Sequence, residues 1–135
     1  MKKKFKEIFD GLMVSGGNII PFSSRKIGTT KEWKYTQSCT HIAFLSHIKD
    51  IFNASALKIS NHYPKIRNDG LCLSHITSIP NAFFESERKR WYLENKKRIP
   101  SDFQFTPLSV KYWYYGSGDL CYIDERIHNT NILHL

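Results

Sequence analysis

Hydrophobic positions recur at helical spacing from Lys3 to about Val14, where Phe5, Ile8, Phe9, Leu12 and Met13 form one stripe. The Ser15-Gly16-Gly17-Asn18 step ends that helix, because glycine readily takes C-cap geometry. From Asn18 to Ser38 the period changes to two. Ile19-Ile20, a polar turn over 23–30 and the alternating run Glu32 to Gln37 predict a hairpin with Trp33 and Tyr35 facing inward. Helical spacing returns over Cys39 to Phe52, with Ile42, Phe44, Leu45, Ile48, Ile51 and Phe52 behind a Ser38 or Thr40 cap. A second hairpin follows, from Ala56 to Ser60 and from Leu71 to Thr77, around a turn holding Pro64 and Asn68-Asp69-Gly70. Asn81 to Leu93 reads as an amphipathic helix after Pro80. Lys96 to Pro100 reads as a basic loop, and Thr106-Pro107 as the cap and first position of a last helix to about Tyr115. The tail from Leu120 has little period and predicts one or two short strands. The order describes an α+β unit, αββαββα plus one further helix, whose antiparallel sheet is covered by helices on one face.

Composition narrows the use of the uncovered face. Of 135 residues, 20 are Lys or Arg and 12 Asp or Glu, a formal charge of +8 that favours a polyanionic partner. Nucleic acid leads, ahead of an anionic membrane surface. No apolar run reaches the roughly 20 residues of a membrane span, and Met1-Lys2-Lys3-Lys4-Phe5 leads into no signal-peptide core, so an intracellular protein is expected, cytoplasmic or in an organellar matrix. Cys39, Cys72 and Cys121 form no CxxC, the six His no HxxxH, and neither GxxxxGK nor GxGxxG occurs. No cofactor, metal set or nucleophilic arrangement is therefore indicated.

Phe9 to Gly17 and Val110 to Gly118 are both helix ends running into a glycine, 101 positions apart. With Phe83-Phe84, Trp91-Tyr92, the Lys96-Lys97-Arg98-Ile99-Pro100 segment, Thr106 to Val110 and Tyr112-Trp113-Tyr114 between and around them, they resemble the LAGLIDADG homing endonucleases. The resemblance covers about residues 5 to 120 and implies one domain over 1–135, with a first α/β repeat over 1–102 and a second-motif helix and shortened remainder over 103–135. It also implies two helices packed together, each delivering an acidic metal ligand from its last turn. At that eighth motif position this chain has Gly16 and Ser117, neither of which is an anionic ligand for a hard divalent ion. Asp10 lies roughly 9 Å before the motif's end at 1.5 Å per residue, and Asp119 falls two positions after Ser117 as the one acid that rescues metal binding if any does. Loss of cleavage is expected, with no catalytic residues and no metal. Family members with two motifs carry a second hairpin, helix and hairpin after the second one, so a homodimer or a protein partner is expected to complete the missing half.

Candidate contacts divide into three groups. With Trp33, Tyr35, Leu57 and Ile59 facing the helices, Lys34, Thr36, Lys58, Ser60 and His62 share the open sheet face, and the turns add Arg25, Lys26, Lys31, Lys65 and Arg67. A two-stranded ribbon fits the major groove of B-DNA, although each lysine taken alone reads first as a solvated surface charge. Lys96, Lys97 and Arg98 anchor phosphate or form an ordinary exposed loop. The aromatics Trp91, Tyr92 and Tyr112 to Tyr115 lie at helical spacing that favours burial over base stacking. Duplex DNA is the expected ligand. The alternatives are a structural RNA-binding role in a ribonucleoprotein, ribosomal or intron-associated, and a residual metal-dependent nuclease.

Overall fold

The computed structural model describes residues 2–22, 32–39, 41–66, 68–70 and 72–116. Within them the order is α1 (Lys3–Val14), β1 (Asn18–Pro21), β2 (Trp33–Cys39), α2 (Ile42–Ala54), β3 (Ile59–Ile66), β4 (Cys72–Ser78), α3 (Ala82–Trp91), β5 (Tyr92–Leu93), β6 (Lys96–Lys97) and α4 (Pro107–Gly116). The expected α+β architecture is thus present. β1, β2, β4 and β3 lie side by side in that order in one antiparallel sheet, and β5 and β6 form a separate small hairpin.

Local chemistry sets the element ends. Asn81 caps α3 by accepting from Phe83 N at 2.8 Å. Thr106 caps α4, accepting from Ser109 N at 3.1 Å, with Pro107 at the first helical position, where its missing N–H costs nothing. α2 departs from expectation at its start. His41 is the cap, accepting from Phe44 N at 3.2 Å, because Ser38 and Cys39 remain in β2. The segment expected as a basic loop departs too. Glu94 and Asn95 both take positive φ, 50° and 66°, which closes a two-residue turn between β5 and β6.

The core lies between the sheet and its covering helices. Phe9, Tyr35, Phe52 and Phe84 are fully buried, with ring centroids 4.7 Å apart for Tyr35 and Phe52 and 5.8 Å for Phe9 and Tyr35. Trp91 and Tyr112 are buried as the spacing predicts, whereas Tyr115 is 43% exposed. α1 packs along α4 so closely that a methyl group on Gly11 would collide with the carbonyl oxygen of Ser109 and lie 2.9 Å from Trp113 N. Asp10, one residue earlier, is buried and held by Arg90 at 2.7 and 2.9 Å; Arg90 also reaches Glu87 at 2.9 Å, and Glu87 takes Lys6 at 2.7 Å. These charges tie α1 to α3 and are committed to the fold.

Since the collision at Gly11 is with backbone, which cannot rotate away, Gly11→Ala should cost about 2–3 kcal/mol, read as a lower urea midpoint at unchanged slope. A midpoint within error of the wild type would show that the two helices have room to part.

Candidate nucleic-acid interface

The sheet face opposite the helices follows from the strand register. Asn18 pairs with Thr36, Ile20 with Lys34, Ser38 with His75, and Thr36 also with Thr77. Partners in a ladder share a face, so Asn18, Ile20, Lys34, Thr36, Ser38, His75 and Thr77 lie on one side, while Ile19, Tyr35, Gln37 and Ile76 point into the core. Ser38 Oγ and His75 Nδ1 are 2.5 Å apart across it. Lys34 and Thr36 are where the alternation places them, although Thr36 is buried among its neighbours.

β3 corrects the remaining assignments. Ile59 pairs with Ser78 but Asn61 with Thr77, so one extra residue is inserted at Ser60, whose hydroxyl donates to Thr77 O at 3.1 Å. A bulge reverses the side on which every later residue falls. His62 pairs with the buried Ile76 and belongs to the helix-side face, not the open one. Asn61 pairs with Thr77, Tyr63 with His75 and Lys65 with Leu73, so Lys65 is part of β3 rather than of a turn. Lys58 precedes the strand and is exposed, its carbonyl accepting from Ile79 N at 2.9 Å. Arg25, Lys26, Lys31, Arg67, Ser117, Asp119 and the expected tail strands lie outside the described residues.

The β5–β6 hairpin splits the basic cluster. Lys96 and Arg98 are exposed, but Lys97 turns inward and donates from Nζ to Gly17 O. Along the same outer edge of β1, Ile19 N donates to Tyr92 Oη at 3.1 Å and Arg88 Nη1 donates to Ile19 O at 2.7 Å. The Arg88 guanidinium lies 3.7 Å from the ring centroid of Tyr92 and 4.6 Å from that of Trp33. Backbone groups that an edge strand would otherwise present unpaired are therefore occupied by side chains of α3 and the hairpin. Lys97 is an edge anchor, with burial pushing its amine down to about 8 despite the hydrogen bond it donates.

The ends of α1 and α4 converge beside this anchor. A Cβ on Gly16 would lie 3.1 Å from Gly116 O and 3.6 Å from Gln37 Nε2, and one on Gly116 would collide with Ser15 Oγ. These contacts place Gly16 against the end of α4 at Gly116, as the resemblance implies in packing the two motif helices together. Gln37 spans the gap. Only 1% exposed, it donates from Nε2 to Gly116 O at 3.0 Å and accepts a hydrogen bond from Tyr35 Oη. Burial raises the phenol of Tyr35 well above its usual range, so it stays a neutral donor. The alternation that faces Trp33 and Tyr35 inward carries Gln37 inward as well, and a polar residue at a core position was the available signal for this bridge.

The donors here do not suit a divalent cation. Gln37 presents its NH₂ to the junction, Gly116 O already accepts from it, and Gly16 has no side chain. Among the described residues no group of three or more His, Cys, Asp or Glu gathers that could hold a metal ion. Nor, among them, is any helix long and apolar enough to cross a membrane.

Comparison with known proteins bears on this geometry. Residues 6–132 match the model of the LAGLIDADG DNA endonuclease family. The fold is similar to that of the homing endonuclease I-WcaI bound to its DNA recognition sequence, with a TM-score of 0.63 and 18% identity over 84% of this chain. The match takes in 50% of that chain, so this sequence spans about half of its length. No curated protein sequence matches.

The Lys97 amine has a testable linkage. Its folded-state pKa lies below the unfolded value of 10.5, so the burial penalty is fully present below about pH 8 and is relieved as pH rises toward 10.5. The stability of the wild type relative to Lys97→Met should therefore increase between pH 7.5 and pH 9.5 in chemical denaturation. A difference that is flat or falls with pH would show that the amine is solvated in the folded state.

Proposed function

The chain belongs to the LAGLIDADG DNA endonuclease family, and from that premise we propose that it binds double-stranded DNA without cutting it. The open sheet face supplies the grip. Lys34 stands on that face, Lys58 just before β3, and Lys96 and Arg98 on the exposed side of the hairpin, all on a chain carrying eight net positive charges. Such groups fit the phosphates and acceptor edges of a major groove. The DNA bound by I-WcaI supports the same use of the fold.

The observation that carries the loss of cleavage is Gly16. It occupies the acid position of the first motif at the junction of the two helices, and the bridge beside it is the neutral amide of Gln37. Without a carboxylate, this end of the site has nothing to hold a hard cation against the phosphodiester. Lys97, spent on Gly17 O, contributes structure rather than a free phosphate contact.

α4 offers a surface for a second copy of the chain or a different partner. It carries Leu108, Val110 and Trp113 half-buried, with Phe105 at 65% exposure beside Trp113, 6.0 Å between ring centroids. On α1, by contrast, Phe5, Ile8, Phe9, Leu12 and Met13 are all buried. Sedimentation equilibrium should show self-association, or association with a partner, that Trp113→Glu abolishes. A wild-type chain that binds DNA as a strict monomer would remove the need for a second half.

In a binding assay on duplex DNA, neutralisation of about six phosphates gives a log–log salt slope near −5, with no gain in affinity from magnesium over a chelator. Lys34→Ala should relax site preference, and Lys96→Ala should weaken all sites alike. Long duplex DNA incubated with magnesium or manganese should remain intact. A cleavage product lost in Asp119→Asn would overturn the non-cutting reading, and tighter binding to structured RNA than to matched duplex DNA would overturn the choice of ligand.

A further inference from the structure

The open face is not uniformly polar. At its outer end, where β1 and β2 run together, Ile20 is 37% and Phe22 42% exposed. Lys34 pairs directly with Ile20 in the ladder and holds its ammonium 5.7 Å from the Phe22 ring centroid. Two apolar side chains and one cation thus form a short strip. Folding does not demand it, since the burial in this strand belongs to Ile19, which is fully enclosed on the other face. Polar residues at positions 20 and 22 would satisfy the ladder equally well.

On duplex DNA the groove-edge group that calls for an apolar contact is the 5-methyl of thymine, which sits beside an O4 acceptor within reach of a lysine. A row of phosphates alone would favour cations in place of Ile20 and Phe22. Glu32, exposed and joined to the same end through Phe22 N donating to Glu32 O at 2.8 Å, adds a negative charge that phosphates would avoid. We infer that Ile20 and Phe22 recognise thymine methyl groups in the major groove, with Lys34 on the neighbouring acceptor. This rests on the sheet-face reading above and deepens it, because the strip selects DNA carrying thymine over the same shape carrying uracil.

The test uses the full chain and a duplex selected by it from a randomised pool. Each thymine is replaced in turn by deoxyuridine, which removes one methyl and leaves the hydrogen-bonding edge intact. One or two positions should lose about fourfold in affinity per methyl. Ile20→Thr and Phe22→Ser should weaken the parent duplex by a similar factor, become indifferent to thymine or uracil at those positions, and keep the wild-type salt slope. Equal wild-type affinity for thymine and uracil at every position would overturn the inference while leaving the sheet-face reading standing. So would a loss in the variants that persists unchanged on the uracil duplexes. Failure of the wild type to select any duplex at low salt would instead bring down the sheet-face reading, and the strip with it.

Discussion

The contact on which the rest depends is the backbone approach of α1 to α4. At Gly11 there is no volume for a side chain, so α1 meets the main chain of α4 directly there, while at Gly116 the side chains of Ser15, Gln37 and Leu12 fill the space. Each helix then ends at the same junction, and β1 starts two residues after Gly16 without a loop in which the direction could drift. The placement of the sheet follows. Gly17 N donates to Leu12 O at 2.9 Å, and a Cβ on Gly17 would lie 2.8 Å from the Tyr35 ring, so the first strand is packed against the second from its first residue. A small error at the helix contact would be carried into every open-face position.

Two polar devices hold that geometry. Arg90 neutralises Asp10 on α1, so the nearest described acid before the junction is already paired with a guanidinium whose own proton is held all the more tightly by the contact. Gln37 bridges the helix ends with a neutral amide, its two polar atoms committed to Gly116 and Tyr35. Breaking either leaves a buried polar group without a partner, the expensive case in a dry interior. The junction is thus stabilised as a closed hydrogen-bonded unit and needs no ion to hold like charges together.

Much of this was legible in the residues, for identifiable reasons. The apolar stripes of α1 and α2 and the Thr106-Pro107 start of α4 are strong local signals, and tertiary packing did not override them. The glycine pair at Gly16-Gly17 marks the end of α1, and the packing of α1 against α4 is as the family resemblance implied. What the sequence hid was parity and direction. A bulge at Ser60 carries no glycine or proline, so nothing in Ala56 to Ile66 announces the inserted residue that sends His62 to the covered face. Glu94-Asn95 lacks the glycine that marks most two-residue hairpin turns, and a basic run following it reads as a surface loop. Only the fold shows that the middle lysine of that run points the other way.

Those two hidden features bear directly on how grip and scission separate. Charged groups available to a polyanion sit on the sheet face at Lys34, before β3 at Lys58 and on the exposed side of the small hairpin at Lys96 and Arg98. A pair of carboxylates at the junction would repel a phosphodiester laid across it unless a cation intervened, at several kcal/mol in a partly dehydrated cleft by order of magnitude. Gly16 brings no such charge to the junction. In a chain that binds without cutting, loss of the acid and retention of those cations are therefore compatible changes: the first removes the demand for a metal, and the second keeps the long-range attraction that never depended on it.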